Sequence, residues 1–250
     1  YNSQLGVPLS VWHLQEEHQL AIFEAGISKQ GEMTQLQKVI CPSLGIMTNI
    51  GEAHSEGFDS IEQKLIEKCT LFKGARSVVY CKDHAMIDLH LQRLKSERKI
   101  GGLFSWGSDR SADVQLVKVS RNGDKTDMVV SHAGKEYSFQ IPFYDHAAIE
   151  NAMHCCAAVL AMGIDSPIFR RMEDLPPLQM RLEMKEGQNG CSLINDSYNA
   201  DLNGLMSALE FMGLQQDTRP KTAILSDISG VGPSSDKVYK QVLLHLKLNG

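Results

Sequence analysis

This 250-residue sequence predicts an α/β fold with a small antiparallel patch, and three observations carry the prediction. Short apolar runs alternate with segments of helical period, the pattern of strands and helices wound into layers. Between residues 103 and 141 β-favouring stretches are separated by Asn122-Gly123 and Ala133-Gly134, which read as turns of antiparallel strands. After Leu175-Pro176-Pro177, where tandem prolines cannot continue a helix, a second alternating series begins.

Taken in order, Leu20-Ala21-Ile22-Phe23 reads as a strand, 32–40 as a helix stopped by Pro42, and 44–48 as the next strand. Residues 60–72 form a helix with Ser60 as N-cap, because a hydroxyl there can accept an orphan backbone N–H of the first turn. A strand at 77–81 and a helix from 83 to about 98 come next. The patch contributes β stretches at 113–119, 127–131 and 137–141, and a long helix from about 147 to 162 ends at Gly163. The second series offers strands at 181–185, 192–195 and 222–226 with helices at 203–212 and from about 234. The prolines thus divide the chain into two expected units, 1–178 and 179–250.

Composition narrows the function. With 42% hydrophobic residues the chain can fill a core, and a net charge of −5 without any basic block gives no electrostatic grip on nucleic acid. No apolar run approaches the roughly 20 residues of a membrane span, and Tyr1-Asn2-Ser3-Gln4 lacks the charged and apolar regions of a signal peptide, so a cytoplasmic location is expected. Cys41, Cys69, Cys81, Cys155, Cys156 and Cys191 lie scattered without C-x-x-C spacing, which suits reduced core thiols better than zinc or disulfides. The missing initiator Met, and a closing helix that should feed another strand, make the sequence read as a piece of a longer chain.

Ligands of open α/β sheets collect at the carboxyl ends of strands. Polar residues succeed apolar runs at four such places: Glu24; Asn49 and His54; Asp196, Ser197, Tyr198 and Asn199; and Asp227. Each alone reads as a cap or turn residue, since Asp and Asn favour turns; their recurrence suggests a site. In the 60–72 helix, Ile61, Leu65, Cys69 and Phe72 form an apolar stripe of roughly 80°, and Lys68 falls only about 20° outside it. The common fate of such a lysine is to carry its ammonium along the apolar face to water. The alternative is an amine neutral enough to react, for example with carbon dioxide to give a carbamate.

At these positions the sequence resembles the Mur ligase family. Glu24-Ala25-Gly26 is similar to the family's E-x-G element, residues 48–58 (TNIGEAHSEGF) resemble T-N-I-x-x-A-H-x-x-G-F, and Glu67 to Phe72 stand where A-K-x-x-I-F is usual. Arg181-Leu182-Glu183 and Asp196-Ser197-Tyr198-Asn199-Ala200 resemble elements of the members that add D-alanyl-D-alanine to UDP-N-acetylmuramoyl-tripeptide in peptidoglycan synthesis. The motifs run in family order from residue 20 to about 228. The resemblance implies a central ATPase-type domain with a mostly parallel sheet over 1–178 and the start of a Rossmann-like ligase domain over 179–250.

It further implies that Glu24 and His54 hold magnesium, that Lys68 is carbamylated and bridges the metal, and that Asn151 hydrogen-bonds the adenine of ATP. Arg181 would sit near the terminal phosphate, Asp196 would take the ribose hydroxyls, and Tyr198 and Asn199 would line the cleft. The implied reaction passes the γ-phosphoryl group to the peptide carboxylate, and the dipeptide amine attacks the resulting acyl phosphate; two magnesium ions and an arginine offset the crowded negative charge. A monomer is expected when the protein is complete, and this piece alone is expected to be inactive.

Some features depart from the family. Its ATP site begins with a Gly-rich loop ending in Lys-Thr or Lys-Ser, which does not occur in this sequence; the resemblance starts just after it, at residues 2–9. Histidine stands at His146 where the family has it one place later, at Ala147, and Asp201-Leu202 and Ser226-Asp227-Ile228 replace N-P and G-D-M. These changes are similar to those of ligases fused to an alanine racemase. A sister ligase of the MurE or folylpolyglutamate synthase type, and a relative kept only as a binding module, stay open.

Overall fold

The computed structural model describes residues 1–51, 57–164, 166–176, 181–198, 202–215, 219–228 and 235–248. Three layers organise the first part. Its centre is a six-stranded sheet of β1 (Leu44–Met47), β2 (Ser77–Cys81), β3 (Leu103–Gly107), β4 (Val114–Asn122), β5 (Lys125–His132) and β6 (Lys135–Ile141), paired in that order. Strands β1 to β4 run parallel, and β4, β5 and β6 antiparallel, so the expected patch is an extension of the parallel sheet. The turn dipeptides behave as their chemistry requires: Gly123 and Gly134 take positive φ and close the two hairpins.

Helices cover the sheet because each has one apolar face to bury. Helix α1 (Gly6–Trp12) and helix α2 (Glu32–Ile40) share a small core of Val7, Ile27, Met33 and Leu36. Helix α3 (Ile61–Cys69) runs into a 3₁₀ turn at Thr70–Phe72 and joins helix α4 (Ala85–Ser96) around Leu65, Cys69, Phe72, Val78, Ile87 and Leu91. Helix α5 (His146–Ala161) packs on the remaining apolar surface, where Met128, Val130, Phe139 and Ile141 alternate inward from the antiparallel strands. Ser60 caps α3 as expected, its side chain accepting the Gln63 N–H, and Asp145 does the same for Ala148 in α5.

The later residues form a two-stranded antiparallel ladder, β7 (Glu183–Glu186) with β8 (Ser192–Asn195), and two helices, α6 (Leu202–Leu214) and α7 (Ser235–Leu248). Leu209, Ile228, Val238 and Val242 make a separate apolar cluster between them.

Two expected strands are absent. Residues 20–23 and 222–226 carry no strand pairing, with Ile22 84% and Ile224 93% exposed. An apolar run becomes a strand only when another strand completes its ladder, and none does so for either run among the described residues. Conversely β3, which sequence reasoning had not separated from the patch, joins the parallel and antiparallel strands.

No helix among the described residues is long and apolar enough to cross a membrane. One close approach fixes the end of the α3 segment: a Cβ added to Gly45 in β1 would overlap the Phe72 ring, so Phe72 sits directly on the strand backbone. Gly45→Ala should therefore destabilise by about 1–3 kcal/mol through overpacking, measured by denaturant unfolding, and an unchanged midpoint would show that Phe72 is not fixed there.

Candidate functional site

Three groups of residues emerge from the fold. The first surrounds Lys68. The face of α3 that buries Leu65 and Cys69 carries the lysine partly out of water, and desolvation holds its pKa below the ordinary value, while the carboxylate of Glu24 and then the Cys69 thiol act in the opposite direction. Glu24 and Lys68 are thus electrostatic neighbours although no strand carries Glu24. The loop bearing Glu24 is fixed from the amino-terminal end: Asn2 Nδ2 donates to Glu24 Oε1 at 2.9 Å and the Gly26 N–H donates to the Asn2 carbonyl at 2.7 Å. A side chain at Gly26 would crowd Asn2 at 3.2 Å, which accounts for glycine two places after the acid.

His54 lies outside the described residues, but both flanks of its segment are anchored. Lys64 Nζ donates to the Gly51 carbonyl at 2.6 Å. Gly57 lies so close to the Ser28 backbone that no Cβ fits, and Phe58 packs with Ile27 and Met33. Glu67, standing where the family motif has alanine, accepts the Met33 N–H at 2.9 Å and ties α3 to the start of α2.

The second group centres on α5. Asn151 is exposed on this helix, one turn before the buried His154. His154 Nδ1 accepts from Trp106 Nε1 at 3.0 Å, which fixes the tautomer, so Nε2–H donates to the Thr48 carbonyl at 3.0 Å. One neutral imidazole therefore pins α5 to β3 and to the residue just beyond β1. Burial pushes its pKa down to about 4; Glu150 and the Thr48 bond only partly oppose this.

The third group is assembled by the β7–β8 ladder, whose register sets Glu183 against Asn195 and so brings the two flanking motifs side by side. Asp196 Oδ1 accepts the Leu182 N–H at 3.1 Å. Leu182 has φ +47°, a left-handed conformation that costs a branched residue on the order of 1–3 kcal/mol, and the Asp196 bond helps to hold it. The turn directs the Arg181 guanidinium over the Tyr198 ring, 4.7 Å from its centroid. Asn199 lies outside the described residues.

Of the sequence-derived candidates, Glu24 and Lys68 are thus brought together, as are Arg181, Asp196 and Tyr198; Asn151 is linked to the end of β1 through His154. Sequence reasoning missed His154 and Lys64. On the helical wheel Lys64 falls about 60° outside the apolar stripe, farther than Lys68, yet it is 4% exposed because residues 50–51 close over that flank. The signal for His154 is a histidine set among the apolar residues of the second half of the helix, which by itself does not name a partner.

The sequence and the fold have counterparts among known proteins. A model of the Mur ligase middle domain matches residues 1–159. The UDP-N-acetylmuramoyl-tripeptide--D-alanyl-D-alanine ligase of Bacillus subtilis (strain 168) is 26% identical over 245 residues, covering 96% of this chain and 51% of that protein. The ligase of the same name from Rickettsia prowazekii (strain Madrid E) is 24% identical over 253 residues, covering 98% of this chain and 55% of that protein. The chain therefore spans about half the length of these curated relatives. Among solved structures, MurF from Acinetobacter baumannii has a similar fold at a TM-score of 0.82, 22% identical, with 96% of this chain and 52% of that one covered. MurF from Thermotoga maritima in complex with ADP gives 0.77 at 18% identity, covering 96% and 55%.

Buried His154 makes stability depend on pH. Its folded pKa near 4 lies below an unfolded value near 6.5, so the folded state binds fewer protons between these limits. Stability present above pH 6.5 should fall by up to about 3 kcal/mol as pH drops to 4 and then level off. Urea unfolding of the protein and of His154→Gln across this window checks it: the variant should lack that component, and parallel curves would exclude it.

Proposed function

The chain belongs to the Mur ligase family, and from that premise we propose that the complete protein is an ATP-dependent ligase joining D-alanyl-D-alanine to UDP-N-acetylmuramoyl-tripeptide. The observation that carries the reading is the desolvated amine of Lys68 beside the Glu24 carboxylate, at the positions where the family motifs require both. In this reading residues 1–178 are the nucleotide-binding domain and 179–250 begin the ligase domain, and the separate apolar cluster of Leu209, Ile228, Val238 and Val242 supports the division. The protein would act in the cytoplasm, as a monomer, in peptidoglycan synthesis.

The residues fit the groups they would hold. Asn2 engages one oxygen of Glu24, and a carboxylate oxygen suits a hard cation such as magnesium. A lysine whose ammonium form is disfavoured has a nucleophilic amine; attack on carbon dioxide forms an N–C bond, releases one proton to water, and leaves an anionic carbamate in place of a cation. Such a carbamate on Lys68 would be a second oxygen ligand near Glu24, with His54 as a nitrogen ligand from the neighbouring motif. ATP would supply the phosphoryl group that activates the peptide carboxylate, and two magnesium ions the charge that offsets its phosphates.

Positioning falls to the other groups. The amide of Asn151 offers a donor and an acceptor matched to the adenine edge. Asp196, already oriented by the Leu182 N–H, would take the ribose hydroxyls, while Arg181, steadied on the Tyr198 ring, would stabilise the negative charge of the terminal phosphate. Tyr198 and Asn199 would line the cleft where the peptide and dipeptide meet.

The full-length protein should release phosphate from ATP only when the tripeptide and D-alanyl-D-alanine are both present, with far less turnover on diaminopimelate, lysine or glutamate. Preference for one of those three would instead assign a MurE-type or folylpolyglutamate synthase-type reaction. Lys68→Ala should lower ligation by at least about 100-fold while circular dichroism stays unchanged, and acetate should restore part of it. Undiminished turnover in that variant would remove Lys68 from the metal site.

A further inference from the structure

A further constellation borders the α5 group, with Glu150 directly preceding Asn151 in the chain. The Cys81 sulfur, a ring nitrogen of His84 and a carboxylate oxygen of Glu150 all fall within 4.8 Å of one another. We propose that Cys81, His84 and Glu150 form a binding site for a thiophilic divalent metal ion, of which Zn²⁺ is the representative, on the side of α5 that faces the end of β2.

Several features support it. Cys81 is the last residue of β2 and His84 stands at the N-cap position of α4, so a short turn presents a cysteine and a histidine, both zinc-ligand types, close together. The third ligand comes from α5, 66 residues away, so the ion would bridge elements from opposite faces of the sheet. Asp83 does not compete, because its Oδ2 accepts the Ser108 N–H at 2.8 Å. The backbone N–H groups of Asp83 and His84 lie against the Cys81 sulfur and favour its thiolate, the outer-shell arrangement seen around metal-bound sulfur.

His84 Nε2 and Glu150 Oε1 meet at 2.5 Å, a charge-assisted contact that already aims two of the ligands at one point. Tetrahedral coordination would set these atoms about 3.3 Å apart, an opening that rotation of the half-exposed His84 ring can supply. Burial pushes the Cys81 thiol up to about 11, so binding must release the thiol proton, and affinity should rise with pH. A thiolate, an imidazole and a carboxylate together select zinc over magnesium, which prefers oxygen donors alone. Three protein ligands leave a fourth position for water.

The test uses the full-length protein and the metal alone, so it is independent of whether ligation is found. Zn²⁺ competition against a chromogenic chelator should give one site per chain with a dissociation constant below about 1 μM, unaffected by millimolar Mg²⁺. His84→Ala and Glu150→Gln should each weaken it at least tenfold, while Cys41→Ser and Cys191→Ser, at exposed positions, should not. Co²⁺ should produce a sulfur-to-metal charge-transfer band that Cys81→Ser abolishes. Because Cys81→Ser could disturb the core, the more exposed His84→Ala decides the matter if that variant fails to fold. Absence of a submicromolar site, equal affinity in the His84 variant, or a cobalt–sulfur band surviving in a folded Cys81 variant would each overturn the proposal.

Discussion

The first candidate group depends on one packing constraint, the burial of the α3 face on the sheet. Leu65, Cys69 and Phe72 must leave water, and the only arrangement that lets Phe72 lie flat on β1 is one in which β1 has no side chain at Gly45. Once that contact is made, helical geometry leaves little freedom: Lys68 lies just outside the apolar stripe on the wheel and is carried into a region where its charge is disfavoured. The chemistry proposed for Lys68 is thus a by-product of ordinary core packing, with hydrophobic burial supplying the free energy that an unaided amine would have to find elsewhere.

Much of this was legible because it is encoded locally. The N-cap Ser60, the stop before Pro42 and the turn dipeptides act over three or four residues, and α2, the start of α3 and the two hairpins lie where those signals put them. The errors share a different cause. Residues 20–23 and 222–226 have the apolar character of strands, but strand formation needs a partner that a local pattern does not contain. The Glu24 loop is instead held by Asn2, 22 positions earlier in the chain, a contact without any periodic signature.

The two lysines of α3 carry the same lesson for side chains. Periodicity ranks Lys68 closer to the core than Lys64, whereas Lys64 is the more deeply covered, because residues 50–51 fold over that side of the helix and the Gly51 carbonyl receives the amine. A helical wheel describes how a helix meets one flat surface; it is silent about a loop that closes over a second. The motifs on β7 and β8 were recognisable as residues, but their adjacency required the ladder that pairs Glu183 with Asn195.

Burial of ionisable groups gives these assignments a common logic. Desolvation drives every titratable side chain towards its neutral form, raising Cys69 and Cys156 to about 12 and lowering His154 to about 4. The neutral His154 uses one ring nitrogen as acceptor and the other as donor, so its preferred state is also the one that completes the Trp106–Thr48 connection. The thiols of Cys69 and Cys156 gain nothing further from neutrality and behave as small apolar groups. Lys68 meets the same kind of opposition as His154: Glu24 pulls it back towards the cation that burial opposes, as Glu150 does for the imidazole. In the proposed site that conflict would be relieved, since the carboxylate would be taken up by an external cation and the amine converted to an anion able to share it, an arrangement that would suit this pair better than a simple ion pair.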